Sequence, residues 1–116
     1  MKISVCIPIY NFDVRELVYD LKKEINDNSI DAEIILIDDA SNENFIQINN
    51  ELQNEVEQFI LLEKNSGRSR IRNLFLKYIK GDYLLFLDCD VKIDNENFLT
   101  NYLREIEGNR GVEVVY

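Results

Sequence analysis

A chain of 116 residues with 13 basic and 22 acidic side chains carries a net charge of −9, and that length supports one compact domain around a single core. Hydrophobic residues at 46% exclude a disordered chain, and the acidic balance argues against nucleic acid as a bulk partner and against adsorption to anionic lipid. Histidine is absent, which rules out Ser-His and Cys-His nucleophile pairs and imidazole metal sites, so any acid–base or metal chemistry falls to carboxylates.

Ile3 to Ile9 is rich in β-branched residues and reads as a first buried strand, with Pro8, which cannot donate to a ladder, expected to mark its end. From Asp13, Val14, Leu17, Val18, Leu21 and Ile25 recur at helical spacing and predict an amphipathic helix to about Asn26, capped by Asn11 or Asp13. Glu33 to Asp39 is a second buried strand that finishes in two acids. Phe45, Ile48, Leu52 and Val56 suit one face of a second helix, and Phe59 to Leu62 a short third strand. The polar loop Asn65-Ser66-Gly67 leads to a third helix with a core face of Ile71, Leu74, Phe75, Tyr78 and Ile79. Tyr83 to Leu87 is an unbroken apolar run, read as a buried strand ending in Asp88-Cys89-Asp90. Phe98, Leu99, Tyr102, Leu103 and Ile106 predict a fourth helix, and Val112 to Val115 the start of one more strand.

Alternation of strand and helix implies an α/β domain of three layers, α/β/α, with a mainly parallel, Rossmann-like sheet and right-handed crossovers. Ligands in such sheets bind beyond the carboxyl ends of the strands. The distinctive polar residues gather there: Tyr10 and Asn11, Asp38 and Asp39, Asn65 and Gly67, Asp88 and Asp90. Period-two alternation would send Asp88 and Asp90 to one side and Cys89 to the other, making a hard-oxygen half-site for Mg²⁺ or Mn²⁺ completed by substrate phosphates. The plainer reading is a polar strand end turning into solvent. Asp38 and Asp39 suit either a cap on the following helix or hydrogen bonds to a base or ribose. The first turn lacks a Gly-x-Gly-x-x-Gly sequence, which argues against a dinucleotide site. Tyr10 offers a wall for a stacked base or is a surface aromatic. The Asn65–Gly67 loop precedes a helix N-terminus suited to an anion, and Arg68 and Arg72 share one helical face, able to pair with a diphosphate or simply solvated. Cys89 reads as core packing.

Taken in order, Ile7 to Asn11, Ile37 to Ser41, Asn65 to Gly67 with Arg72-Asn73, and Gly81 to Asp90 resemble the nucleotide-binding half of family 2 glycosyltransferases, the inverting GT-A type. The resemblance implies strands ordered 3-2-1-4 and a nucleotide-diphosphate sugar donor, usually a UDP-sugar, with Mn²⁺ or Mg²⁺ bridging its phosphates. It implies that Pro8, Tyr10 and Asn11 border base and ribose, and that Asp39 bonds the base with Asp38 in support. Arg72 and the Asn65–Gly67 loop would line the pocket, with Arg68 beside them. Asp88 would lie near the ribose or sugar and share the cation with Asp90, the main metal ligand. Ile71 departs from the small residue usual before the Arg-Asn pair. The resemblance also implies that the catalytic base and most acceptor contacts lie beyond Tyr116. This chain is then expected to bind donor and metal without transferring sugar.

Two other readings compete: a non-catalytic nucleotide-sugar-binding or partner module, and a Mg²⁺-binding phosphoreceiver domain, which would want its acidic pair after the first strand. Neither Cys6 nor Cys89 lies in a paired metal spacing, so free thiols in a reducing compartment are expected. No apolar run approaches ~18 residues. No signal peptide is evident, and a cytoplasmic location is expected. Surfaces left uncovered by a truncated half would favour self-association.

Overall fold

The apolar runs become strands and the amphipathic stretches helices because each has one geometry that buries its side chains. In the computed structural model, which describes residues 2–93, 96–108 and 114–115, these are β1 Ile3–Ile9, β2 Ala32–Asp38, β3 Gln58–Leu61, β4 Tyr83–Phe86 and β5 Val114–Val115. The helices are α1 Arg15–Asp27, α2 Glu43–Asn49, α3 Arg68–Phe75 and α4 Phe98–Gly108, with a 3-10 turn, Asn50–Asn54, extending α2. The side chain of Ile106, and Val112 and Glu113, lie outside the described residues.

All strands are parallel, in the order β3-β2-β1-β4-β5, and β1 is the axis. Alternate side chains of β1 serve two cores. Val5, Ile7 and Ile9, with Ile34, Leu36 and Leu85, pack under α1 (Leu17, Val18, Leu21), Leu52 and Leu99 of α4. Cys6, with Ile35, Ile37 and Leu84, packs under α3 through Ile71 and Phe75. Phe75 is fully buried and meets Phe86 edge-on at 5.8 Å. Truncating such a phenylalanine costs about 3–5 kcal/mol. Burial pushes the Cys6 thiol up to about 12, with the charge of Glu33 adding to it. Cys6 and Cys89 are both free thiols.

Handedness departs from expectation in one place. The first three crossovers share a hand: α1 and the 3-10 turn after α2 cover one face as the chain steps toward β3, and α3 covers the other as it returns to β4. α4 then lies on the α1 face while β5 continues outward, so the β4–α4–β5 crossover has the opposite hand. On that face the start of α4 is held by buried Glu24 of α1, whose carboxylate accepts hydrogen bonds from the Leu99 and Thr100 amides and the Thr100 hydroxyl. Four unsatisfied amides open every helix, and here a neighbouring helix supplies the acceptor.

Three local expectations also change. Pro8 lies inside β1, opposite Ile37, and the ladder runs on to Ile9. Its missing N–H faces the β4 side, where bonding ends with the Leu87 amide on the Cys6 carbonyl. Neither Asn11 nor Asp13 is the N-cap of α1; Val14 is, and its amide is taken by Asn49 Oδ1 at 3.0 Å. Asp13 instead binds the Arg15 amide and guanidinium, which holds its carboxyl below the usual carboxylate range. Asp38 and Asp39 do not cap α2, whose N-cap is Asn42.

Candidate functional site

At the carboxyl ends of β1, β2 and β4 a cavity of about 560 Å³ opens, within the range of small-molecule sites. Pro8, Ile9, Tyr10 and Phe12 come from β1 and the loop after it, and Asp39 follows β2. Asn65, Gly67, Arg68, Ile71 and Arg72 come from the start of α3, and Asp88, Cys89 and Asp90 follow β4. The residues that the sequence singles out for a site thus line one concave wall, save Asn11 and Asp38, which the structure places behind it.

Asp38 is fully buried: Oδ1 accepts the Ser41 amide at 2.8 Å, and Oδ2 has no hydrogen-bond partner among the described residues. Asn11, at φ 48°, accepts the Asn42 amide through Oδ1 and donates its own amide to Ser41 Oγ. Together they tie the loop after β1 to the loop after β2 and so set where Tyr10 and Asp39 stand. Tyr10 is 54% exposed, as a ring awaiting a stacking partner would be.

Asp39 does something that its sequence position did not suggest. Its Oδ1 accepts the Ser66 amide at 2.6 Å and the Ser66 hydroxyl at 2.9 Å, and Oδ2 accepts the Gly67 amide at 3.2 Å. Asn65 Nδ2 adds a bond to the Asp39 carbonyl. The anion expected at the start of α3 is therefore, for these amides, the chain's own carboxylate. Gly67 makes the turn with φ 79° and ψ 165°, a region essentially confined to glycine. Ser66 was missed in the sequence because its partner lies 27 residues away.

The acidic pair is also placed differently. β4 stops at Phe86, so Asp88, Cys89 and Asp90 form a turn, the period-two rule no longer applies, and all three line the cavity. Cys89 does not turn away. Burial, with Asp90 and Asp88 adding, raises its thiol above the ordinary range, partly opposed by a Tyr10 backbone bond. Both carboxylates are exposed, and among the described residues no group of three or more potential ligands gathers. Two open carboxylates on one wall fit a Mg²⁺ or Mn²⁺ that takes its remaining oxygens from a bound phosphate.

Arg72 stands with its guanidinium 5.8 Å from the centre of the Phe86 ring. It also borders a second cavity of about 480 Å³, which shares Pro8 and Asp88 with the first and continues to Phe86, Val91, Phe98 and Tyr102. The two cavities make one continuous surface on either side of Asp88. Phe12 had no signal in the sequence beyond apolar character near a strand end, and Phe98 and Tyr102 of the second cavity read only as the face of a helix.

Residues 4–115 match the sequence model described as Glycosyl transferase family 2. The poly(ribitol-phosphate) beta-glucosyltransferase of Bacillus spizizenii is 34% identical over 112 residues, covering 88% of this chain and 17% of that protein. The crystal structure of S. aureus TarS 1-349 in complex with UDP-GlcNAc superposes with a TM-score of 0.73 at 31% identity, over 93% of this chain and 32% of that one. A mannosyltransferase from Pyrobaculum calidifontis, PcManGT, solved in complex with GDP-Man and Mn²⁺, shares the fold at 18% identity and a TM-score of 0.74, over 90% of this chain and 32% of that one. The chain thus spans a minor part of each of these relatives.

Proposed function

From the premise that this chain belongs to glycosyl transferase family 2, we propose that it forms the donor-binding part of an inverting enzyme that uses a UDP-sugar. The observation that carries the reading is the convergence of Tyr10, Asp39, Arg68, Arg72, Asp88 and Asp90 on one cavity. A base stacks on Tyr10, with the edge of the ring turned to the Asp39 loop. The diphosphate lies between the Arg68 and Arg72 guanidinium groups and the Asp88–Asp90 turn. Asp90, with Asp88, would hold the Mn²⁺ or Mg²⁺, and the ion would supply Lewis-acid charge neutralisation for the departing diphosphate. Pro8 and the second cavity lie where the sugar would leave the nucleotide.

In the proposed transfer an acceptor oxygen forms a bond to the anomeric carbon from the face opposite the diphosphate. The bond to the diphosphate oxygen breaks and UDP leaves with the electron pair. The hydroxyl proton passes to a carboxylate that we place outside this chain, in the part of the relatives it does not span. Relatives of this chain are named for poly(ribitol-phosphate), and we assign the acceptor to that polyanionic class.

The test is titration calorimetry with UDP and GDP in the presence and absence of Mn²⁺, joined to a turnover assay with several UDP-sugars. UDP binds more tightly than GDP, Mn²⁺ strengthens it, and no sugar is transferred. Equal binding of the two nucleotides, or appreciable turnover by this chain, contradicts the proposal. The exposed Leu61 at the end of edge strand β3 is the surface on which we place self-association; sizing at rising concentration checks it, and a constant monomer contradicts it.

A further inference from the structure

The net charge of −9 conceals an opposite local sign. Residues 64–80 hold six of the 13 basic side chains and none of the 22 acidic ones, so the segment is at +6 and the remainder at 7 − 22 = −15. Lys64, Arg68, Arg70, Arg72, Lys77 and Lys80 are all exposed. On α1, by contrast, Arg15, Lys22 and Lys23 are each ion-paired. Lys64, Arg68, Arg70, Lys77 and Lys80 form no ion pair among the described residues.

The fold turns this run into a strip. Ile71 and Phe75 face the sheet, which leaves the other side of α3 to solvent. Arg68 lies on the cavity side, while Arg70 on α3 and Lys77 in the turn that follows Phe75 are exposed and do not line the cavity. The strip starts at the cavity with Gly67. It ends at the opposite edge of the sheet, where the Lys80 amide binds Glu33 and the Gly81 amide binds Ser4 Oγ near the starts of β2 and β1. Basic charge therefore runs from the donor cavity down the height of the sheet.

We infer that the outer face of α3 and the turn after it bind a linear phosphodiester chain, the acceptor, laid along Arg70 and Lys77 with one end delivered to the cavity. The inference rests on the proposed donor site for its direction. Geometry favours a narrow chain over a bilayer. A charged plane would also meet the exposed acids Glu63 and Asp82 that flank the strip in sequence, whereas a chain a few ångströms wide can follow the strip alone. Leu76 is the one side chain of the strip that adds exposed apolar surface, too little for a membrane anchor. Single-stranded nucleic acid needs aromatic platforms for its bases, and Tyr78, the strip's aromatic residue, is half-buried.

The experiment is fluorescence anisotropy of a labelled poly(ribitol phosphate) oligomer with this chain across a salt series. Neutral dextran, a single-stranded oligonucleotide and phosphatidylglycerol vesicles are the controls, and UDP calorimetry is run on the same samples. R70Q/K77Q, which alters no cavity residue, is expected to weaken oligomer binding and to flatten the log–log salt slope by about 1.4, at ~0.7 for each phosphate no longer neutralised. UDP affinity stays unchanged, which also reports that the variant is folded, and R70K/K77R keeps oligomer binding. Wild-type-like oligomer binding by R70Q/K77Q, or oligonucleotide or vesicle binding as tight as the oligomer's, overturns the inference. Oligomer binding without UDP binding would remove the donor site and leave the strip standing.

Discussion

The α1 side and the α3 side of the sheet use cations in opposite ways. On α1, Arg15 bridges Asp13 and Glu51, Lys22 meets Glu55, and Lys23 meets Asp27 one turn on. On α3 and its flanks, the side chains of five exposed cations form no ion pair among the described residues, and two arginines line the cavity. Charges that neutralise one another locally contribute little beyond solubility, because exposed pairs are screened and entropically costly. Arg68, which borders the cavity and makes no ion pair among the described residues, is left available to a phosphate. The difference teaches that the useful electrostatics of this chain lie where its overall acidity is contradicted.

The largest expected effect breaks the comparison at the acidic turn. Outer-sphere partners alone are worth ~10–100-fold in metal affinity, so Asp90→Asn, which removes a proposed direct ligand, lowers Mn²⁺ affinity in the UDP complex by at least about that factor. Titration of the UDP complex with Mn²⁺ reads it. Asp39→Ala comes next. It strands the Ser66 and Gly67 amides and the Ser66 hydroxyl, and a partner left unsatisfied costs about 1–3 kcal/mol. Urea unfolding reads that loss, and UDP affinity falls with it because the loop that carries Asn65 and Gly67 is released. Gly67→Ala destabilises by a similar ~1–3 kcal/mol through backbone strain at φ 79°. An unchanged midpoint in both variants would contradict the loop assignment.

A smaller effect concerns the thiols. Cys89 lines the cavity with its thiol raised, so alkylation is slow near neutral pH, quickens as pH rises, and slows again when UDP is bound. Cys6, buried and pushed up to about 12 from 9.0, stays unmodified in the folded chain. Because the folded state holds the Cys6 proton more tightly than the unfolded state, its contribution to stability is complete below pH 9.0 and is lost as pH climbs toward 12. Labelling followed by peptide mass mapping checks the pattern, and equal reactivity of the two thiols contradicts it. Smallest of all is Arg15→Gln, which removes the α1 pairs to Asp13 and Glu51 and leaves UDP affinity where it was, whereas Arg68→Gln reduces it.

Much of the fold was legible in the sequence because apolar runs such as Ile34 to Ile37 have only one way to be buried. The strand ends were legible as a class of location, and with them Tyr10, Asp39, Asp88 and Asp90. What the sequence did not disclose depends on partners far along the chain. Glu24 holds the start of α4 from 75 residues away, on the face that gives the last crossover its opposite hand. Asp39 spends its carboxylate on Ser66 and Gly67, and Asn49 takes the place expected of Asn11 or Asp13 at the start of α1. The length of β4 was the other gap: ending at Phe86, it turns Cys89 toward the cavity instead of away. The basic run of residues 64–80 was plain in the sequence throughout, but a single net charge averages it away.

Paramagnetic broadening of backbone amide signals by Mn²⁺ in the presence of UDP tests the central claim most directly. With the ion at Asp90 and a nucleotide spanning the cavity, the amides of Cys89, Val91, Gly67 and Tyr10 broaden, those of Lys22 and Lys23 on α1 stay sharp, and Asp90→Asn abolishes the effect. Broadening centred on α1, or broadening at Cys89 and Val91 that is the same without UDP and never reaches Gly67 or Tyr10, would contradict it.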